Sequence, residues 1–453
     1  MRRYPPGPGD KLCGITFFQP LKTDPLAFAT KVAKDYGDFA YIRLGWINLY
    51  FVNRPELVRE VLSAKVKSFR KLGRQMRALR KIEGDGLVTT DGETWARHRP
   101  VVQSIFHARH LPHYARIIVE HTRRRLDSWV PGAPFGMASE MNELALEIIS
   151  KLIFGADLSG EAARLRHATN VFRTEMRREI SAPFNLPDWL PLPNKIRQRR
   201  AVRTVDDLIW KQIREHRKIG LVRIGMLAQM LEAAAAVHSD SPITDAEIRD
   251  QAAMLFIAGH DTTSAALAWF WYLLSQYSEV ERKVLHEVDT VLGERPAVND
   301  DVPKLSYLEM VVRESMRLCP VAGFLYGREA VEDVELGGFT LSRGSWVFIA
   351  PYIVHRDVRL FPNPEVFDPD RFAPHRIDEI PPNVFIPFGG GPRICAGNKL
   401  ALMQIVLLAA TILQRFRIVL DQAPPEQELG ILLRPKGALR MCALARSSSG
   451  TLP

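Results

Sequence analysis

The chain has 453 residues, room for two or three average domains or one large one, and its 46% hydrophobic content is ample for a sizeable core. No repeat or low-complexity tract interrupts it, which excludes a disordered or repetitive protein. Lys and Arg number 61 against 51 Asp and Glu, and the resulting +10 points to acidic partners or an anionic surface; no nucleic-acid-binding motif accompanies the charge, so nucleic acid is not an expected partner.

Residues 1–20 start basic and turn proline-rich, which predicts an extended N-terminus. They hold no apolar run suited to a bilayer span or a signal peptide, so a cytoplasmic chain without an integral membrane anchor is expected. The four cysteines, Cys13, Cys319, Cys395 and Cys442, are scattered; this fits a reducing compartment and argues against zinc. A helical segment from Pro25 gives way to strand-like runs Phe39–Leu44 and Leu49–Asn53 around a Gly-Trp turn, and a helix Pro55–Ser63 follows. Gly84 to Thr90 reads as a loop that leads through Asp91-Gly92 into a helix. On that helix Trp95 and Arg99, four apart, share a face as donors suited to an anion, and His98 is expected to be exposed. From His110 to Leu158 the periodicity is helical, broken near Trp129–Gly132, and the prolines between Pro183 and Arg200 rule out a continuous helix there.

Thr244-Asp245-Ala246-Glu247 has the form of a capping box and opens a helix running to about Ser275. Its middle, Ala258 to Thr263, interrupts an apolar face with small and polar residues. Either Gly259 and Thr262, about a turn apart, open the helix to oxygen and water, or Thr262 is a buried threonine bonded back to a carbonyl. Glu314 and Arg317, three apart on a helix Tyr307–Leu318, are neighbours on one face, and Val334 to Val347 reads as a hairpin around Gly337-Gly338.

The stretch Phe388 to Gly397 carries three consecutive glycines and a proline, a backbone able to bend sharply and approach a flat ligand. It presents Cys395 just before an apolar helix, Leu400–Leu413, where the helix dipole and free N–H groups favour a thiolate. Such a thiolate binds metal, acts as a nucleophile or is an inert core cysteine; alone, it can serve as the axial ligand of haem iron. Phe388, Gly391, Arg393, Cys395 and Gly397 reproduce the Phe-x-x-Gly-x-Arg-x-Cys-x-Gly signature, and from about Pro5 to Arg446 the chain resembles the cytochrome P-450 (haem-thiolate monooxygenase) superfamily.

The resemblance implies one mainly α domain over residues 1–453 with a smaller β region, holding haem b and using dioxygen with electrons from an external reductase. It implies Cys395 as the iron ligand, Phe388 beside the sulfur, Trp95, Arg99, Arg328 and Arg393 at the haem propionates, and Ala258 and Gly259 on the distal helix against the cofactor. Asp261 and Thr262 are implied to manage protons, Val88, Ala322, Phe324 and Ile431 to face substrate, and Glu314, Arg317 and Arg371 to form a buried structural network. The expected partner is an acidic ferredoxin or flavodoxin with its NAD(P)H reductase, docked near Lys399 and Arg97. The implied reaction inserts one oxygen atom into an apolar small molecule, a fatty acid first, with a terpenoid, steroid or other secondary metabolite beside it. A peroxide-using or isomerising haem-thiolate enzyme and a haem sensor or carrier stay open as alternatives.

Overall fold

Helical and strand-like hydrophobic patterns separate into different cores. The computed structural model describes residues 3–9, 14–156, 159–182, 186–219, 225–236 and 242–446; Cys13, Leu158 and residues 183–185 of the proline-rich stretch lie outside the described residues. Ile15–Phe17 and α1 (Phe18–Thr23) are helical where an extended N-terminus was expected, because Phe17 and Leu21 pack onto the core around Phe51. Asp24 caps α2 (Pro25–Tyr36), accepting the Ala27 N–H at 2.9 Å. In the hairpin of β1 (Phe39–Leu44) and β2 (Ile47–Val52), Leu44 faces Ile47 across two residues, with Gly45 at φ +63°. The helix expected over Pro55–Ser63 is α for its first part only: α3 (Pro55–Arg59) passes into a π-helical turn, Glu60–Ala64, closed by the Lys65 N–H on the Glu60 carbonyl at 2.7 Å.

The chain continues through β3 (Phe69–Lys71), α4 (Gly73–Glu83), α5 (Gly92–Ser104), α6 (Leu111–Leu126), β4 (Pro134–Gly136), α7 (Met137–Phe154), α8 (Ala162–Ser181), α9 (Pro193–Ile219) and α10 (Met226–Ala236). Then come α11 (Asp245–Gln276), α12 (Ser278–Leu292), α13 (Ser306–Leu318), β5 (Arg328–Ala330), β6 (Val334–Leu336), β7 (Phe339–Leu341) and β8 (Trp346–Phe348). Last are α14 (Pro351–Val354), α15 (Asn398–Leu413), β9 (Phe416–Leu420), β10 (Gln427–Leu429), β11 (Leu433–Pro435) and β12 (Arg440–Ala445).

The largest sheet has the order β1-β2-β8-β5-β3, antiparallel except where β2 runs parallel to β8, and smaller cores around Phe39 and Ile42 cover it. The main core belongs to the helices. α11 and α15 are apolar nearly all round, the pattern of helices enclosed on every side, and α11 packs along α7. The whole is one mainly α domain with a smaller β region, and among the described residues no helix is long and apolar enough to cross a membrane.

Candidate active site

Gly389 (φ +75°) and Gly391 (φ +64°) turn the chain through conformations other residues rarely adopt. The Cys395 N–H donates to the Phe388 carbonyl at 3.1 Å, closing the loop just ahead of α15. Cys395 is exposed to a large cavity, and the protein packed around it desolvates the sulfur. That burial raises the thiol pKa, outweighing the Gly397 N–H and the Arg99 guanidinium, which both favour the thiolate. Burial thus works against the thiolate that the helix start and Arg99 favour.

The cavity has a volume of about 1190 Å³. Of the three described cysteines only Cys395 lines it. Phe388 and Ala396 stand beside it, and Ala258, Gly259 and Thr262 of α11 also line the wall. Val88, Ala322, Phe324 and Ile431, drawn from four separate segments, make further parts of the wall mostly apolar.

Cations gather where Trp95, Arg99, Arg328 and Arg393 reach the same cavity. Arg99 donates to the Ile394 carbonyl at 3.0 Å, and Arg393 stacks over Trp95 with 4.2 Å to the ring centroid while pairing with Asp91 at 2.8 Å. Burial lowers the pKa of all three arginines, that of Arg328 to about 10, and Arg393 depresses its two neighbours further. Lys71 joins them; its Nζ donates to the Leu87 and Thr90 carbonyls, both at 2.9 Å, and burial brings its pKa down to about 7. Among the described residues Asp91 is the carboxylate that pairs within this cluster, and Glu83, near Lys71, has its pKa raised to about 8 by burial, so the cations outnumber the anions. The two propionates of a haem would supply negative charge, and a single thiol is the ligand set expected when the iron arrives in a macrocycle.

Sequence reasoning missed Lys71, although the in–out–in alternation of β3 puts it on the same side as Phe69. It also missed Glu83, fully enclosed at the end of α4 with one carboxylate oxygen unpartnered and its pKa pushed up by burial to about 8.

The distal helix α11 runs unbroken past Ala258–Thr263. The Thr262 hydroxyl donates to the Ala258 carbonyl at 2.6 Å and Thr263 to that of Gly259 at 3.0 Å, so backbone opening is not what the small residues provide. A Cβ on Gly259 would lie 2.6 Å from Ile149 Cδ1, so the space left by the glycine is filled by α7. Asp261 does not line the large cavity. Its carboxylate pairs with Arg434 of β11 at 2.5 Å and Arg173 of α8 at 3.4 Å, beside a niche of about 20 Å³ whose wall includes Asn142, Thr169 and His260. Burial would raise this carboxyl, but Arg434, His260 and Arg173 together hold it below its usual range.

His98, expected on the surface, is buried. Its Nε2 meets Glu247 at 3.0 Å and its Nδ1 meets Gln251 at 3.1 Å, while Gln251 accepts the Leu87 N–H at 2.9 Å. Asp250 accepts the Asp85 N–H at 2.7 Å, so two side chains of α11 fix the loop that carries Val88. Glu247 also completes the capping box with Thr244 and pairs with Arg97. These contacts hold its pKa near 2 against the upward push of burial.

Behind the Cys395 loop, Arg317 donates to Glu314 through Nε at 2.7 Å and Nη2 at 2.8 Å, with both side chains fully buried. Arg371 approaches the same carboxylate at 3.4 Å and donates to the Asn363 carbonyl at 2.8 Å.

A mainly helical domain enclosing one cavity thiol, an anion-deficient arginine cluster and a mostly apolar chamber is the architecture of a haem-thiolate protein. The Cytochrome P450 family model matches residues 5–442, and the chain belongs to that family. It is 33% identical over 395 residues to a cyclooctatin synthase of Streptomyces melanosporofaciens, covering 87% of this chain and 85% of that one. A cyclooctat-9-en-7-ol 5-monooxygenase of the same organism is 31% identical over 395 residues, with the same coverage. A pentalenene oxygenase of Streptomyces avermitilis is 30% identical over 398 residues, covering 88% of this chain and 87% of its own. The protein is a monooxygenase that uses haem b, dioxygen and electrons from an external reductase.

Proposed function

We propose that this enzyme hydroxylates a carbocyclic, terpenoid-type substrate held in the cavity that Cys395 and Thr262 both line. The observation that carries the reading is the cavity itself: about 1190 Å³, mostly apolar, with the thiol in one wall and Thr262 in another. The sequence alone put a fatty acid first. The relatives named for cyclooctat-9-en-7-ol and pentalenene favour the cyclic alternative.

Cys395 would hold the iron of haem b, which would supply the chemistry of dioxygen activation with two electrons from the reductase. Arg99, Arg328, Arg393 and Trp95 would hold its carboxylates, whose charge would offset that of the arginines. Val88, Ala322, Phe324 and Ile431 orient the substrate and exclude water. Thr262, whose hydroxyl donates to the Ala258 carbonyl, would offer its oxygen to the cavity as a hydrogen-bond acceptor. Asp261 feeds it protons from the niche beside Asn142 and Thr169, which is large enough for one water, and reaches the cavity by releasing Arg434.

An acidic ferredoxin or flavodoxin, reduced by its NAD(P)H reductase in the cytoplasm, docks on the Cys395 side. Lys399 is exposed there, whereas Arg97 is engaged with Glu247 and contributes little to docking. Rate loss with rising salt is the expected sign of such docking.

The spectrum of the reduced carbon monoxide complex tests the ligand, and spin-state titration of the ferric protein with cyclic terpenes tests the substrate. A histidine-type carbonyl spectrum would overturn the first assignment. Turnover of linear acids with no response to any cyclic terpenoid would overturn the second.

A further inference from the structure

Arg74 opens α4 and lines the cavity where that helix meets α8. Its one hydrogen bond runs from Nη2 to the Glu179 carbonyl at 3.5 Å, the outer limit for such a contact, and its Nε is buried without any partner. No carboxylate lies within ion-pairing distance of it among the described residues, and the first turn of α4 carries no acidic side chain. The neighbouring charge it feels is Arg77, which together with burial lowers its pKa. The other cations of this wall are accounted for. Arg177 pairs with Glu428 at 2.7 Å, Lys22 is exposed, and Arg99, Arg328, Arg393 and Lys71 form the haem-side cluster. Gln75, next along α4, spends its oxygen on the Gly327 N–H at 2.9 Å, and its amide nitrogen makes no hydrogen bond among the described residues. The result is two half-buried side chains, Arg74 and Gln75, with donor capacity unspent at one end of a chamber whose other cations are engaged or exposed. Arg74 is half-buried with its Nε unpartnered, and an anion reaching it would gain a charge-assisted hydrogen bond that the protein leaves unmade.

We propose that Arg74, assisted by Gln75, is a substrate-binding residue that holds the carboxylate of an organic acid whose apolar body fills the cavity. The proposal rests only on the reading of the cavity as the substrate chamber and adds to it that the substrate carries an acid group, met at the end of the chamber where α4 meets α8. A linear fatty acid and a cyclic terpenoid acid share that head group, and the experiment separates them by their bodies.

The test is spin-state titration of the ferric holoenzyme at neutral pH with two matched pairs: dodecanoic acid and its methyl ester, and abietic acid and its methyl ester. In at least one pair the acid is expected to bind about 10- to 100-fold more tightly than the ester, the range set by a charge-assisted hydrogen bond in a partly buried site. Arg74→Gln should remove that gap by weakening the acid alone, and Arg74→Lys should keep part of it. The pair that shows the gap identifies the body. Equal binding of acid and ester to the unaltered enzyme, or equal weakening of both by Arg74→Gln, would overturn the proposal. If none of the four probes moves the spectrum of a protein with a thiolate-type carbonyl complex, the chamber reading falls as well.

Discussion

A Cβ on Gly391 would stand 2.0 Å from the Leu62 carbonyl oxygen and 2.7 Å from Ser63 Oγ. The Cys395 loop therefore sits backbone to backbone on the π-helical turn that follows α3, and Gly391 holds φ +64° to do so. Gly390, one residue earlier, has an extended φ of −159° and would bring a Cβ only to 3.4 Å from Leu62 Cδ1.

Gly391→Ala is accordingly expected to unseat the loop and cost most of the bound haem, whereas Gly390→Ala should load normally. The haem-to-protein ratio of the two purified variants checks this. Equal loading would mean that the close approach to Leu62 does not seat the cysteine.

Thr262→Ala removes a hydroxyl that lines the cavity and is tied to the Ala258 carbonyl at 2.6 Å. Product formation should fall on the order of 10²-fold, with hydrogen peroxide released in its place, and Thr262→Ser should recover most of it. Asp261→Asn keeps the shape but weakens the pair with Arg434, so turnover should slow and acquire a larger solvent deuterium effect while substrate affinity holds. Unchanged coupling in Thr262→Ala would remove that residue from the proton path.

The elements legible in the sequence were those whose cause is local. The Thr244–Glu247 capping box starts α11, Gly45 turns the first hairpin, and the glycines around Cys395 make its loop. What stayed hidden depends on partners far along the chain. His98 reads as a surface residue until α11 brings Glu247 and Gln251 to it, 149 and 153 positions away. The same holds for Asp261, whose direction is set by Arg434 on a strand 173 positions later, and for Arg97, whose charge Glu247 takes up. The π turn after α3 is a packing feature of the same kind: it supplies the backbone on which Gly391 rests.

Glu314→Ala would leave Arg317 and its guanidinium fully buried without their anion. Removing one partner of such a pair is expected to cost about 3–5 kcal/mol, read as a lower midpoint in urea denaturation of the holoenzyme. It would also free the Asp368 N–H, which donates to Glu314 at 2.9 Å, and so loosen the segment that brings in Arg371. A midpoint within error of the unaltered enzyme would show that water enters and compensates.

His355 links this network to the segment before the Cys395 loop. Its Nε2 accepts the Ile386 N–H at 3.0 Å and its carbonyl accepts from Arg317 at 2.8 Å. Burial, followed by the charges of Arg317 and Arg356, brings its pKa down to about 3 from an ordinary 6.5. In the folded protein the ring stays neutral, while the unfolded chain takes up a proton as soon as the pH drops below 6.5. The contribution to stability is thus fully present above pH 6.5 and is lost as the pH falls through the interval toward 3. Between neutrality and pH 5 the loss should be about 2 kcal/mol, from 1.36 kcal/mol per unit of pH once the unfolded chain is protonated. His355→Gln keeps an acceptor for the Ile386 N–H and cannot titrate, so it should start lower but lose about 2 kcal/mol less over the same interval. Urea midpoints at the two pH values for both proteins measure the difference directly. Parallel losses would mean that His355 is already protonated in the folded state, and that the acid sensitivity arises from other groups.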